Sequence, residues 1–180
     1  DVYGVYFYDL QSGQKVEINA DKQFPAASIA KIPVAILTLR DIQAGKVKLA
    51  DTYAIKNNLK HGSTEDLAKR PAGTKVTINE YLTRLINESS NTAWYHLRDR
   101  LGGVWGDTGV NQRTIKELNA NPYFEDPLIA TPEVVGRVFA DLYNYKALDE
   151  EHAEYLLNLM RNTLPDTRLA IPSGVPEDIE

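Results

Sequence analysis

Ser28 and Lys31 are the residues best placed to do chemistry. They fall in the stretch Phe24-Pro25-Ala26-Ala27-Ser28-Ile29-Ala30-Lys31-Ile32-Pro33-Val34-Ala35-Ile36-Leu37. Its apolar content predicts a buried helix running to about Gln43, with Pro33 either starting the regular part or kinking it near the amine. Three residues apart on a helix, a hydroxyl and an amine share a face and can touch. Near a helix start, unpaired N–H groups and the helix dipole favour a developing negative charge. A lysine accepts a proton only when neutral, and burial among apolar neighbours pushes it that way. Ile29, Ala30, Ile32, Val34, Ile36 and Leu37 supply such neighbours. The spacing suits a serine nucleophile beside an amine base. It equally suits a capping serine followed by a surface lysine, so a second element has to decide.

Ser89-Ser90-Asn91 is that element. It separates two predicted helices. The first opens on the capping box Thr77-Ile78-Asn79-Glu80 and carries Tyr81, Leu82, Leu85 and Ile86 at helical spacing. The second carries Ala93, Trp94, Leu97 and Leu101 and closes at Gly102-Gly103. A turn between buried helices can project side chains into a cleft. There Ser89 can relay a proton to a leaving nitrogen. Asn91 can donate to a substrate carbonyl while bonding the lysine. The same residues can also simply cap the second helix, and the two roles are compatible.

The positioning elements follow from pattern. Residues 2–10 and 15–19 alternate and are rich in Val, Tyr and Phe, so they read as a hairpin that needs further strands for stability. Residues 46–54 read as connection. Residues 56–73 are polar and broken by Gly62, Ser63, Pro71 and Gly73, long enough to cover a site. Further helices are expected around residues 112–118, after Thr131-Pro132, and over residues 149–163. Residues 121–127 read as loop, and residues 169–180 as extended.

Composition narrows the function. The chain has 180 residues, 43% of them hydrophobic, and a formal net charge of −5. That supports one cored domain and gives no basic field for nucleic acid. There is no apolar run of about eighteen residues and no leader-like start, so no membrane span is expected in this chain and any leader would already be removed. Cysteine is absent, which excludes disulfides, thiolate catalysis and Cys-ligated zinc. His61, His96 and His152 lack metal-ligand spacing, so neither a metal nor a cofactor is expected.

These blocks, in this order, resemble the class A β-lactamase family and its penicillin-binding-protein relatives. The resemblance rests on the hairpin followed by residues 24–31, on Pro71-Ala72-Gly73-Thr74-Lys75-Val76-Thr77-Ile78 leading to Ser89-Ser90-Asn91-Thr92-Ala93, and on Leu101-Gly102-Gly103 followed by Thr131-Pro132-Glu133. The separation of Ser28 and Ser89, 89 − 28 = 61 positions, fits as well. The resemblance implies an acyl-serine hydrolase in which Ser28 is the nucleophile, Lys31 its activating amine, Ser89 the proton relay and Asn91 the ligand of the substrate's side-chain amide. The Ser28 N–H would form half of an oxyanion hole.

Three departures qualify it. The middle motif has Ser90 where the family usually has Asp. The deacylating glutamate of the family falls on Ile115, because Lys116-Glu117-Leu118-Asn119 aligns with the second half of its motif; Glu117 could serve only if the loop is rearranged, and otherwise reads as a helical surface glutamate. No K-T-G or K-S-G follows, so the strand that binds the substrate carboxylate is expected beyond this chain, with the C-terminal strands: either the chain is a fragment, or the remainder is on another chain, a complementing C-terminal segment, or is not represented in this sequence.

The expected fold is α+β: a hairpin (residues 1–23) belonging to an antiparallel sheet, an all-helical region (24–165) and an extended return segment (166–180). The resemblance implies a β-lactam or peptidoglycan-peptide substrate and an extracytoplasmic location. A D-Ala-D-Ala peptidase with slow deacylation and a non-catalytic wall-binding module are the competing readings.

Overall fold

The computed structural model describes residues 2–62, 65–103, 109–120 and 129–162. The mixed α/β architecture expected from sequence is present. Seven helices and three two-stranded antiparallel ribbons occur among the described residues.

Helix α1 (Lys31–Gln43) is the axis of the fold. It packs against α3 (Ile78–Asn87), α4 (Asn91–Arg100), α5 (Gly109–Leu118) and α7 (Glu150–Arg161). A helix covered on so many sides must be apolar nearly all round. Ala35, Ile36, Leu37 and Leu39 are accordingly fully buried. Pro33 falls in the first turn, where its missing N–H leaves no bond unmade, so it starts the helix rather than kinking it.

Side-chain caps set the helix starts, as expected at Thr77 and Thr131. The Thr77 hydroxyl accepts from Glu80 N at 3.1 Å, Thr131 from Val134 N at 3.2 Å before α6 (Pro132–Tyr143), and Asp149 from His152 N at 3.0 Å before α7. Only half of the capping box at Thr77 is built, because the Glu80 carboxylate goes instead to Arg70 at 2.6 Å. Helix α4 ends in a left-handed Gly102 (φ 108°). Gly102 N donates to Asp99 O and Gly103 N to Arg98 O, a Schellman closure.

The hairpin joins β1 (Val5–Tyr8) to β2 (Lys15–Ile18), in register from Val5↔Ile18 to Tyr8↔Lys15. It rests on α6 through Tyr6, whose ring lies so close to Gly136 that a Cβ there would come within 2.3 Å of Tyr6 Cδ1. Its other face, with Phe7 and Val16 more than half exposed, meets no further strand among the described residues.

The helical region is not all-helical. β3 (Phe24–Pro25) pairs with β6 (Ile129–Ala130), and β4 (Thr52–Ala54) with β5 (Lys75–Thr77). Two- and three-residue strands are too short for alternation to reveal, so residues 46–54 read as plain connection. The first ribbon clamps the approach to Ser28 onto the approach to α6. The remaining helix, α2 (Asp66–Lys69), interrupts the region read as irregular. The expected loop at 121–127 and the return segment at 166–180 lie outside the described residues.

Candidate active site

Ser28 stands on a single 3-10 turn, Ala27–Ala30, ahead of α1 rather than within it. The turn is entered through a left-handed Ala27 (φ 45°). With three residues per turn, positions i and i+3 eclipse, which stacks Ser28 over Lys31 more directly than an α-helix would. Lys31 Nζ lies 3.2 Å from Ser28 Oγ.

The second motif closes on the same amine. Between α3 and α4 the chain turns at Ser89, held left-handed (φ 54°) while Ser90 N donates to Arg84 O at 3.0 Å. This aims both polar groups of Ser89 inward. Lys31 Nζ donates to Ser89 O at 2.6 Å and to Ser89 Oγ at 2.8 Å, and Ser89 Oγ lies 3.1 Å from Ser28 Oγ. A neutral amine has two N–H bonds and one lone pair. With both N–H bonds spent on Ser89, the lone pair is left for the Ser28 hydroxyl. The triangle can then circulate protons from Ser28 to Lys31 to Ser89.

Lys31 is only 5% exposed. Burial pushes its pKa below the ordinary lysine range, and the Glu65 carboxylate pulls part of the way back. Ser28, Lys31, Asn91 and Trp94, with Ala27 and Ala30, line a cavity of about 240 Å³. Asn91 thus shares the pocket, but Lys31 bonds to Ser89 and Ser28, not to the Asn91 carboxamide. Ser90 caps α4 by accepting from Ala93 N at 3.0 Å. The turn therefore faces the pocket and caps the helix at once.

Glu117 is elsewhere. On α5 its carboxylate takes Arg113 Nε at 2.7 Å and an ion pair from Arg40 at 3.6 Å, while Arg113 also reaches Asp41 at 3.0 Å. Burial pushes the Glu117 pKa up, but the Arg113 bond and the two guanidinium charges outweigh it and leave the group below the usual range. It belongs to an ion-pair network with Arg113 and Arg40, and Arg113 links it to Asp41.

Sequence reasoning missed how Lys56, His61 and Glu65 are fastened to α4. His96 is fully buried; its Nε2 accepts from Lys56 N at 2.9 Å, so the other nitrogen, Nδ1, donates to Thr92 O at 2.7 Å. Burial lowers its pKa, keeping it neutral. Thr92 Oγ1 accepts from His61 N at 3.0 Å and donates to His61 O at 2.7 Å. Glu65 then meets the start of α4. The one sequence signal for Glu65 was Ser90 itself, a neutral residue where the family usually has an acid.

Two hydroxyls, a buried amine with a lowered pKa and a carboxamide thus meet at one pocket. The sequence model of the Beta-lactamase enzyme family matches residues 1–180, and the chain belongs to that family. Beta-lactamase VEB-1 of Pseudomonas aeruginosa is 26% identical over 182 residues, covering 89% of this chain and 58% of that protein. The chain thus spans less than two thirds of this curated relative. The structure of PBP-A matches with a TM-score of 0.86 at 24% identity over 97% of this chain and 67% of its own, and a mutant of PBP-A is known as an acyl-enzyme complex with penicillin G. A beta-lactamase from Sphaerobacter thermophilus matches at 0.75 and 25% identity, over 90% of this chain and 64% of its own.

Proposed function

We propose that the protein is a serine hydrolase that opens β-lactam amide bonds through an acyl-serine. The Ser28 hydroxyl passes its proton to the Lys31 lone pair as Oγ attacks the carbonyl carbon. The lactam C–N bond breaks, its nitrogen takes the Ser89 proton, and Lys31 returns a proton to Ser89. Asn91 donates to the substrate's side-chain amide carbonyl. The Ser28 N–H is half of the oxyanion hole, where one donor is worth about 3 kcal/mol. The observation that carries this reading is the buried Lys31 amine, 3.2 Å from one hydroxyl and 2.8 Å from the other.

A second reading, a penicillin-binding peptidase that releases its acyl group slowly, is favoured by the carboxylates. Among the described residues Glu117 is tied to Arg113 and Arg40, and Glu65 to the start of α4. Neither is free to activate water. No K-T-G occurs in the sequence, so the ligand of the substrate carboxylate is proposed to come from a segment outside residues 1–180, and these residues alone should turn over poorly. β-Lactam or wall-peptide substrates would fit an extracytoplasmic location. Nitrocefin turnover beside penicillin adduct lifetime separates the readings: fast turnover with a short-lived adduct supports the first, a persistent adduct the second. Absence of any adduct in the full-length protein refutes both.

A further inference from the structure

The four N–H groups that open α4 have no helical partner and need one. All four are accounted for, in an unusual way. Ser90 N donates back to Arg84 O at 3.0 Å and Ala93 N to Ser90 Oγ at 3.0 Å. The other two leave their own segment: Asn91 N donates to Glu65 Oε1 at 3.0 Å and Thr92 N to Glu65 Oε2 at 3.1 Å. The Ser90 hydroxyl donates its proton to Glu65 Oε2 at 2.6 Å. One carboxylate, 25 residues upstream of Ser90, thus takes three donors from three successive residues. An anion at a helix N-terminus with that many donors is held firmly.

What it holds is the wall of the pocket. Ser89, whose hydroxyl and carbonyl both take Lys31, immediately precedes the three anchored residues, and Asn91 is one of them. Ser89 and Asn91 can keep their aim only while this turn keeps its shape, and its left-handed residue is a conformation that a non-glycine residue adopts at a cost. Ser90 is neutral and cannot anchor the turn with a charge of its own.

We propose that Glu65 is the positioning residue of this site. It supplies from the preceding region the carboxylate that the Ser89-Ser90-Asn91 turn lacks, and so fixes Ser89 and Asn91 on Ser28 and Lys31. Its carboxylate is spent on three donors from the turn, so its part is positioning. Its charge also opposes the neutralisation of Lys31. This inference rests on the acyl-serine reading for its kinetic consequence, but not for its structural one.

The test is a mutant cycle in the full-length protein, reading the acylation rate of Ser28 by penicillin G and the thermal melt of each variant. Glu65→Ala should slow the acylation step at saturating penicillin by about 100-fold, the scale of a misplaced catalytic group, at temperatures where circular dichroism shows the chain folded. Ser90→Asp alone crowds a second carboxylate onto the same N–H groups and should also slow acylation and lower the melt. The double variant Glu65→Ala/Ser90→Asp restores one carboxylate to one turn and should recover most of both losses. Glu65→Gln, with one acceptor oxygen and no charge, should fall between wild type and Glu65→Ala, and it carries the cycle if Glu65→Ala does not fold. Acylation at the wild-type rate in folded Glu65→Ala or Glu65→Gln overturns the proposal. So does a double variant no better than its parents in either readout. If wild type forms no adduct, the acyl-serine reading fails instead, and rescue of the melt alone still reports whether Glu65 anchors the turn.

Discussion

Ser89 carries a hydroxyl that the chemistry needs on a backbone that stability does not want, and the two can be separated. Ser89→Ala and Ser89→Gly both remove the Oγ that takes Lys31 at 2.8 Å and lies 3.1 Å from Ser28. Both leave the 2.6 Å bond to the Ser89 carbonyl. A lost acid–base group typically costs about 10²–10⁴ in rate, or about 3–5 kcal/mol of barrier. The two variants should therefore acylate equally slowly. Their stabilities should differ. At φ 54° a residue with a Cβ is strained by about 1–2 kcal/mol, which glycine escapes. Glycine returns about 0.5–1 kcal/mol through its freer unfolded chain. The remainder, about 0.5–1 kcal/mol, should raise the melting temperature of Ser89→Gly over Ser89→Ala by about 1–4 °C. The assay is penicillin acylation followed by intact mass, beside calorimetric melts of the same samples. Wild-type acylation by either variant, or Ser89→Gly melting below Ser89→Ala, would refute the reasoning.

Three other outcomes follow from the same geometry. The acylation rate should rise with pH as Lys31 loses its proton, with a midpoint below the ordinary lysine value of 10.5; a pH profile with no such limb, or one unchanged in Lys31→Ala, contradicts the amine base. His96 has a folded pKa pushed below 6.5 by burial, so the unfolded chain binds its proton more readily. Stability from this group is therefore intact above 6.5 and falls as pH drops from there toward the folded value; urea melts across that window should show the slope, and His96→Gln should flatten it. Ile115→Glu puts a carboxylate at the position that aligns with the family's deacylating residue, and should shorten the penicillin adduct lifetime; an unchanged lifetime argues that α5 does not face the acyl group.

Much of this was legible because it is local. The three-residue spacing of Ser28 and Lys31 and the hydroxyl caps at Thr77 and Thr131 depend on neighbours within one turn, and short-range rules capture them. The left-handed Ser89 leaves less trace, since nothing in Ser89-Ser90-Asn91 distinguishes a strained turn from an ordinary junction. What sequence reading missed is pairing at a distance. Phe24 meets Ala130, Lys56 meets His96 and Glu65 meets Ser90, and each contact is specified by the packed fold rather than by local periodicity. Glu80 shows the same competition in reverse: a locally ideal capping box yields its carboxylate to Arg70.

The central claim is that Ser28 is acylated because a buried amine can take its proton. Peptide mapping of the full-length protein after reaction with penicillin G tests it most directly. The account predicts a penicilloyl mass on the peptide containing Ser28, lost in Ser28→Ala and strongly slowed in Lys31→Ala. An adduct on any other residue, or full labelling of Ser28 without the lysine, would contradict it.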